Sequence, residues 1–302
     1  MTQEFYSNGK LLLSGEYVFL DGAVGLAVPT KYGQSLRVSH NDGSSIKWKS
    51  VAADGSNWFE TELATNNLDI KQSTDLETVR TLQKILRQAA KMNPDFLCDS
   101  QGYNIESILD FDRSWGLGSS STLINNIAQW AEIDAYELLW NAFSGSGYDI
   151  ACAQHNSPIL YRIQGTQPLT KERDFNASFK DQLYFIHLNK KQNSREGIAQ
   201  YRNQFFDKHQ LIERISDITG QLLNCRSLAE FETLLLAHEN MIAENLKLPT
   251  VKSEKFPDYD GCIKSLGAWG GHFILATGNS VTTEYFKSKG YHTIIPYAEM
   301  IL

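Results

Sequence analysis

The run Gly116-Leu117-Gly118-Ser119-Ser120-Ser121 leads straight into a helical stretch from Thr122 to about Ile133, and this junction constrains the chain more than any other feature. Glycines let the backbone approach an anion with no Cβ in the way, and a helix start offers unpaired N–H groups and a partial positive charge. The three serines add hydroxyls that can bond phosphate oxygens or ligate Mg2+. A solvated turn is the plainer reading of any glycine-serine cluster. No Gly-Lys-Ser/Thr follows the run and no Gly-x-Gly-x-x-Gly is present, so neither the P-loop nor the dinucleotide fingerprint applies.

A chain of 302 residues has room for one large domain or two of medium size. Its formal net charge of −7 argues against nucleic acid as a partner, because phosphate backbones recruit basic surfaces. An anionic small molecule stays compatible, since local basic residues matter more than the total. Cys98, Cys152, Cys225 and Cys262 are scattered with no Cys-x-x-Cys pair, which reads as reduced thiols rather than a disulfide framework or zinc site. The first residues lack the basic and apolar regions of a signal peptide, and no apolar run approaches membrane-spanning length. The expectation is a cytoplasmic protein without a membrane partner; a homodimer stays open.

Residues 10–13, 17–20, 24–28, 35–40 and 45–48 read as strands, the third closed by Pro29. Thr74-x-x-Glu77 reads as a capping box ahead of a stripe of Leu76, Val79, Leu82, Leu86 and Ala89. Residues 103–108 alternate like a strand. A second capping box, Asp134-x-x-Glu137, opens a helix to about Phe143, and 158–163 reads as a strand. The polar stretch 164–173, with Gly165 and Pro168, is taken as the domain boundary. Beyond it lie a strand at 183–188, helices near 197–219 and 228–245, and a strand at 273–276. Strands and helices interleave without regular βαβ alternation, which favours an α+β fold.

Three further segments could carry chemistry. Lys10 heads an apolar strand and can aim a point charge at phosphate, or serve as an edge-strand lysine. Asp149, after Ser144-Gly145-Ser146-Gly147-Tyr148, can act as base toward a substrate hydroxyl, cap a helix, or do both. The loop Gly267-Ala268-Trp269-Gly270-Gly271 permits close backbone approach to a ligand or a tight turn.

In this order these pieces resemble the GHMP kinases, the superfamily of galactokinase, homoserine kinase, mevalonate kinase and phosphomevalonate kinase. Lys10 through Gly15-Glu16-Tyr17 to Ala27-Val28-Pro29 looks like the family's first motif, and Trp115 to Ser121 like the second, which holds ATP phosphates. Ser144 to Ala151 resembles the segment with the catalytic aspartate, and Gly267 to Gly271 the third motif, where Trp269 and His272 interrupt the usual glycine run. The Glu-Tyr pair and Asp149-Ile150-Ala151 are closest to phosphomevalonate kinases.

The resemblance implies a two-domain α+β fold, with a ribosomal-protein-S5-like ATP-phosphate-binding domain over 1–168 and a ferredoxin-like GHMP domain over 169–302. It implies an ATP-dependent kinase acting on an isoprenoid-pathway acceptor such as mevalonate or phosphomevalonate, with a diphosphomevalonate decarboxylase-like lyase or an inactive nucleotide-binding homologue as alternatives. On that pattern Gly116, Leu117, Gly118, Ser119, Ser120 and Ser121 hold the ATP phosphates, and Ser120 is the first choice of the serines to ligate Mg2+. Asp149 orients or deprotonates the acceptor, while Lys10 stabilises the transferring phosphoryl and keeps Asp149 ionised. Glu16, Tyr17, Gly267, Ala268 and Gly270 face the substrate. Glu137 is the candidate second metal ligand or, on the local reading, simply the third residue of its capping box. Lys190, Lys191 and Arg195 could receive the acceptor's negative charge or belong to a solvated loop.

Overall fold

A computed structural model describes residues 2–98, 101–165, 167–190, 194–204 and 206–302, with the side chains of 194–196 left aside. The first half of the chain runs β1 (Thr2–Ser14), β2 (Gly25–Asn41), β3 (Ser45–Val51), β4 (Asn57–Ala64), β5 (Ile70–Ser73), α1 (Leu76–Met92), β6 (Gly102–Leu109), α2 (Ser119–Trp130), α3 (Ala135–Ala142) and α4 (Tyr148–Gln154). The second half runs β7 (Ile159–Gln164), β8 (Gln167–Glu172), β9 (Leu183–His187), α5 (Ser194–Arg202), α6 (Lys208–Leu222), α7 (Leu228–Leu246), α8 (Val251–Lys255), β10 (Ile263–Ser265), β11 (Phe273–Thr277), α9 (Thr282–Ser288), β12 (Ile294–Pro296) and α10 (Tyr297–Met300).

Two compact units interleave along the chain. The first comprises residues 1–9, 32–113 and 117–154, and the second 10–31, 114–116 and 155–302. The expected boundary near 168 is a single cut; these units are each built from several segments.

In the first unit the strand order is β5-β4-β3-β6-β2, with β3 and β6 parallel and the other pairs antiparallel. Leu36, Val38, Ile46, Trp48, Phe59, Leu63 and Ile105 from the sheet pack with Val79, Leu82 and Leu86 of α1 and with Ile124, Ile127 and Leu138 from α2 and α3. Alternate strand residues such as Lys47, Lys49, Glu60 and Glu62 point the other way, as a one-sided sheet requires.

The second unit holds the ladder of β2, β7 and β8, and a four-stranded antiparallel sheet in the order β10-β11-β9-β12. The run β9, helices, β10, β11, α9, β12 with β9 between β11 and β12 is the ferredoxin-like arrangement. Its core gathers Ile186, Leu188, Val251, Phe256, Ile263, Ile274 and Phe286. The α+β class expected from the sequence is the class observed.

Several local expectations are corrected. Residues 17–20, read as a strand, form a 3-10 turn at Val18–Asp21, closed by Leu20 N–H on the Tyr17 carbonyl at 3.0 Å and Gly22 N–H on the Phe19 carbonyl at 3.1 Å. Pro29 does not end a strand. It lies inside β2, between the residues paired with β7 (25–27) and those paired with β6 (34–41), so its missing N–H breaks neither ladder.

Helix α1 is capped by Asp75, whose carboxylate accepts from Glu77 and Thr78 N–H, rather than by Thr74, which is held on β4 by Glu60. The helical stretch near 197–219 is two helices, the second capped by Asp207. The polar stretch 164–173 is largely β8, paired with β7 in a hairpin.

Candidate functional site

Helix α2 starts at Ser119, three residues earlier than periodicity suggests, so Ser119, Ser120 and Ser121 form its first turn. Its N-cap is Gly118, held at φ 93°, a left-handed conformation costly for any residue with a Cβ. The first intrahelical bond runs from Thr122 N–H to the Gly118 carbonyl, 3.0 Å. No side chain caps α2 and no acidic residue lies in its first turn. By contrast α1, α3, α6 and α7 are capped by Asp75, Asp134, Asp207 and Ser227. An N-terminus built this way leaves N–H groups and dipole available to an anion. Leu117 is buried and Ser120 exposed.

A buried polar network that sequence reading missed holds this helix. Thr122 Oγ1 donates to Gln34 Oε1 at 2.5 Å, and Gln34 Nε2 donates to Ser107 Oγ at 2.6 Å. Asn126 Nδ2 donates to the Gln34 carbonyl at 2.8 Å and its Oδ1 accepts from Ser7 Oγ at 2.7 Å. Asn125 Nδ2 donates to Ser7 Oγ at 2.8 Å. The one signal in the sequence is the Asn125-Asn126 pair, two poor helix formers inside an apolar helix.

Asp149 sits in the first turn of α4, half-buried, one residue inside the helix start at Tyr148, so it is not the cap. Helices α2 and α4 pack together, and Gln154 Nε2 at the end of α4 donates to Asn125 Oδ1 at 2.9 Å. The first unit thus brings the serine turn and the aspartate onto two neighbouring, cross-linked helices.

It does not bring Glu137 to Ser120. Glu137 is exposed in the first turn of α3, its N–H bonded to Asp134 Oδ1 at 2.9 Å, as a capping box requires. Ser120 lies at the start of α2, and Glu137 follows its far end by the short connection 131–134. Twelve helical residues at ~1.5 Å each make α2 about 18 Å long, beyond the reach of one ion. Among the described residues no group of three or more His, Cys, Asp or Glu gathers as a metal centre.

In the second unit, Lys10 is half-buried on β1. Gly116 has φ 67°, and a Cβ there would lie 2.4 Å from Cγ of His272. His187 Nε2 is 3.2 Å from the Ser114 carbonyl oxygen, and the Trp115 ring meets Phe273 edge to face.

The loop Gly267 to Gly271 joins β10 to β11, with Gly267 at φ 67° and Gly270 at φ 65°. Trp269 is buried there, its indole N–H donating to the Pro249 carbonyl at 3.0 Å. The Trp269 backbone N–H donates to the Tyr17 hydroxyl at 2.7 Å. Burial pushes that hydroxyl up to about 12. Glu16 is buried, its Oε1 accepting from Lys264 Nζ at 2.8 Å. Tyr17 therefore supports the glycine loop by its hydroxyl, and Glu16 turns inward. Lys190 is exposed; Lys191 lies outside the described residues, as does the side chain of Arg195.

With this geometry the chain has the fold of solved GHMP kinases. Methanococcus jannaschii mevalonate kinase matches at TM-score 0.72 with 14% identity, over 96% of this chain and 94% of that one. Streptococcus pneumoniae phosphomevalonate kinase, solved with phosphomevalonate and AMPPNP, matches at TM-score 0.69 and 15% identity, over 99% and 98%. Lactococcus lactis galactokinase, complexed with galactose, matches at 0.63 and 11%, over 95% and 88%. No family model matches the sequence, and no curated protein does. Among the described residues no helix is long and apolar enough to cross a membrane.

Proposed function

We propose that this protein is an ATP-dependent small-molecule kinase whose acceptor is an anionic isoprenoid precursor, mevalonate or phosphomevalonate. The observation that carries the reading is the uncapped glycine start of α2, in a fold shared with kinases that include one solved with AMPPNP and phosphomevalonate. On this reading residues 1–168 bind the ATP phosphates and 169–302 complete the acceptor side, in a cytoplasmic protein.

Backbone N–H groups of 116–121 hold the phosphates. Asp149 receives the proton of an acceptor hydroxyl, or orients an acceptor phosphate. Lys10 offsets charge on the transferring phosphoryl. The glycine loop, braced by Tyr17, borders the acceptor. Mg2+ fits the residues present, because this ion usually keeps several waters and binds through few protein groups plus substrate phosphates. The exposed Ser120 hydroxyl would hold it, and the bound ion would neutralise phosphate charge.

The test is ADP release from ATP with mevalonate and phosphomevalonate as acceptors. Turnover is expected with one of them, and Asp149→Asn should lower it by about 100- to 10,000-fold, the usual worth of a positioned acid or base. Carbon dioxide release would move the assignment to a lyase. ATP binding without turnover on either acceptor would refute a kinase of this class.

A further inference from the structure

One end of the first unit's sheet carries an aromatic–cation stack that the proposed reaction does not use. Ser50 and Val51 of β3 pair in parallel with Ser107 and Ile108 of β6, so the turn 52–56 and Trp58 beyond it lie where β6 leaves for α2. Thr61 of β4 pairs with Ser73, which brings the start of α1 to the same end. Arg113 lies on the connection from β6 to α2, ahead of the Gly118 cap.

Arg113 Cζ sits 3.6 Å from the centroid of the Trp58 ring. Its nitrogens are about 1.3 Å from Cζ, so a guanidinium standing on edge would drive one to roughly 2.3 Å from the indole, inside contact distance. The group therefore lies flat on the ring. Its N–H donors fan out parallel to the indole, and its opposite face is open, since Arg113 is exposed. Among the described residues the guanidinium has no hydrogen bond and no carboxylate at ion-pair distance. By contrast, Arg37 in the same unit pairs with Glu4 at 3.0 Å and Arg87 with Asp69 at 3.1 Å. Asp75 is close enough to feel the Arg113 charge, but that carboxylate is held mainly by Thr78 N–H in the cap of α1.

Packing alone does not call for tryptophan at position 58. Its indole N–H is buried with no acceptor among the described residues, a cost that phenylalanine would not carry. What tryptophan adds is the strongest π face for a cation. We propose that Arg113, held flat by Trp58, is a nucleotide-binding residue that stacks the base of ATP on its open face. A guanidinium plane meets a nucleobase as it meets an indole, by stacking and cation–π attraction. The triphosphate already has the uncapped start of α2, and the base needs a flat partner of its own. The chain from Arg113 to Gly118 spans at most about 18 Å, so one nucleoside triphosphate can reach both.

The nucleotide as ligand rests on the kinase reading, and binding alone tests the stack. Calorimetry with Mg2+ compares ATP with inorganic tripolyphosphate, which has no base. Arg113→Ala should weaken ATP about 5- to 150-fold, the usual worth of one stacked base, and leave tripolyphosphate within about twofold. Arg113→Lys, which keeps the charge and loses the plane, should lose nearly as much. In wild-type protein labelled with fluorotryptophan, the Trp58 resonance, assigned through Trp58→Phe, should move with ATP and stay in place with tripolyphosphate. Equal losses for the two ligands would put Arg113 on a phosphate and overturn the proposal. So would full ATP affinity in Arg113→Lys, or in Arg113→Ala, the result expected if the arginine only covers the indole. A Trp58 resonance that ignores ATP overturns it as well. ATP bound with these signatures but never turned over would refute the kinase and leave the stack standing.

Discussion

Replacing Gly116 by alanine tests how the phosphate run is packed. Two costs add. The residue sits at φ 67°, where a Cβ costs roughly 1–2 kcal/mol. That Cβ would also meet the His272 ring at 2.4 to 2.6 Å, and forcing an extra methyl into filled space costs about 1–3 kcal/mol. The sum is about 2–5 kcal/mol, a large part of a typical domain's stability.

The two costs are separable. Removing the ring with His272→Ala relieves the clash and leaves the backbone strain. Urea unfolding of wild type, both single variants and the double variant should give a favourable coupling of about 1–3 kcal/mol. Gly116→Ala should remain about 1–2 kcal/mol below Gly116 even without the ring. A coupling near zero, or a Gly116→Ala protein as stable as wild type, would refute the argument that the imidazole fills the space above this glycine.

Two other expectations follow from hydrogen bonding. Asn126→Leu strands the Gln34 carbonyl and removes an acceptor from Ser7 in a fully buried site, and should cost about 2–4 kcal/mol in urea unfolding; a loss below about 1 kcal/mol would show that the network is not holding α2. Ser227→Ala removes the α7 cap, whose oxygen accepts from Glu230 N–H at 3.3 Å, and should cost about 1 kcal/mol while ATP affinity by calorimetry stays unchanged.

What could be read in advance followed from local physics. The stripe of α1 from Val79 to Ala89 (its expected first member, Leu76, is exposed), the Asp134 cap, the strand at β6 and the glycine-serine helix start each depend on neighbours a few residues apart. Residues 17–20 misled because short-range backbone bonds, Leu20 N–H to the Tyr17 carbonyl and Gly22 N–H to the Phe19 carbonyl, curl a β-rich run. Thr74 and Asp75 offer equivalent caps on paper, and a bond to β4 decides between them. The network of Ser7, Gln34, Ser107, Thr122 and Asn126 joins distant stretches of chain, and Glu16 meets Lys264 across 248 positions. Periodicity carries no trace of such pairs. Glu137 carries two readings in the sequence, and the structure shows its N–H in the cap of α3.

The interleaving of the two units sets an order of events during synthesis. By residue 154 every segment of the first unit has been made. The second unit cannot close then. Residues 25–27 await their partners at 159–161, and Thr30 bridges Ile301 while the Pro29 carbonyl accepts from Leu302 N–H. A ribosome adding about 5–20 residues per second makes residues 155–302 in roughly 7–30 s; residues 25–27 gain their partners early in that interval, whereas Pro29 and Thr30 gain theirs, Leu302 and Ile301, only at its end. The apolar stretch Leu26-Ala27-Val28, buried in the finished protein, is what a chaperone would meet on the nascent chain.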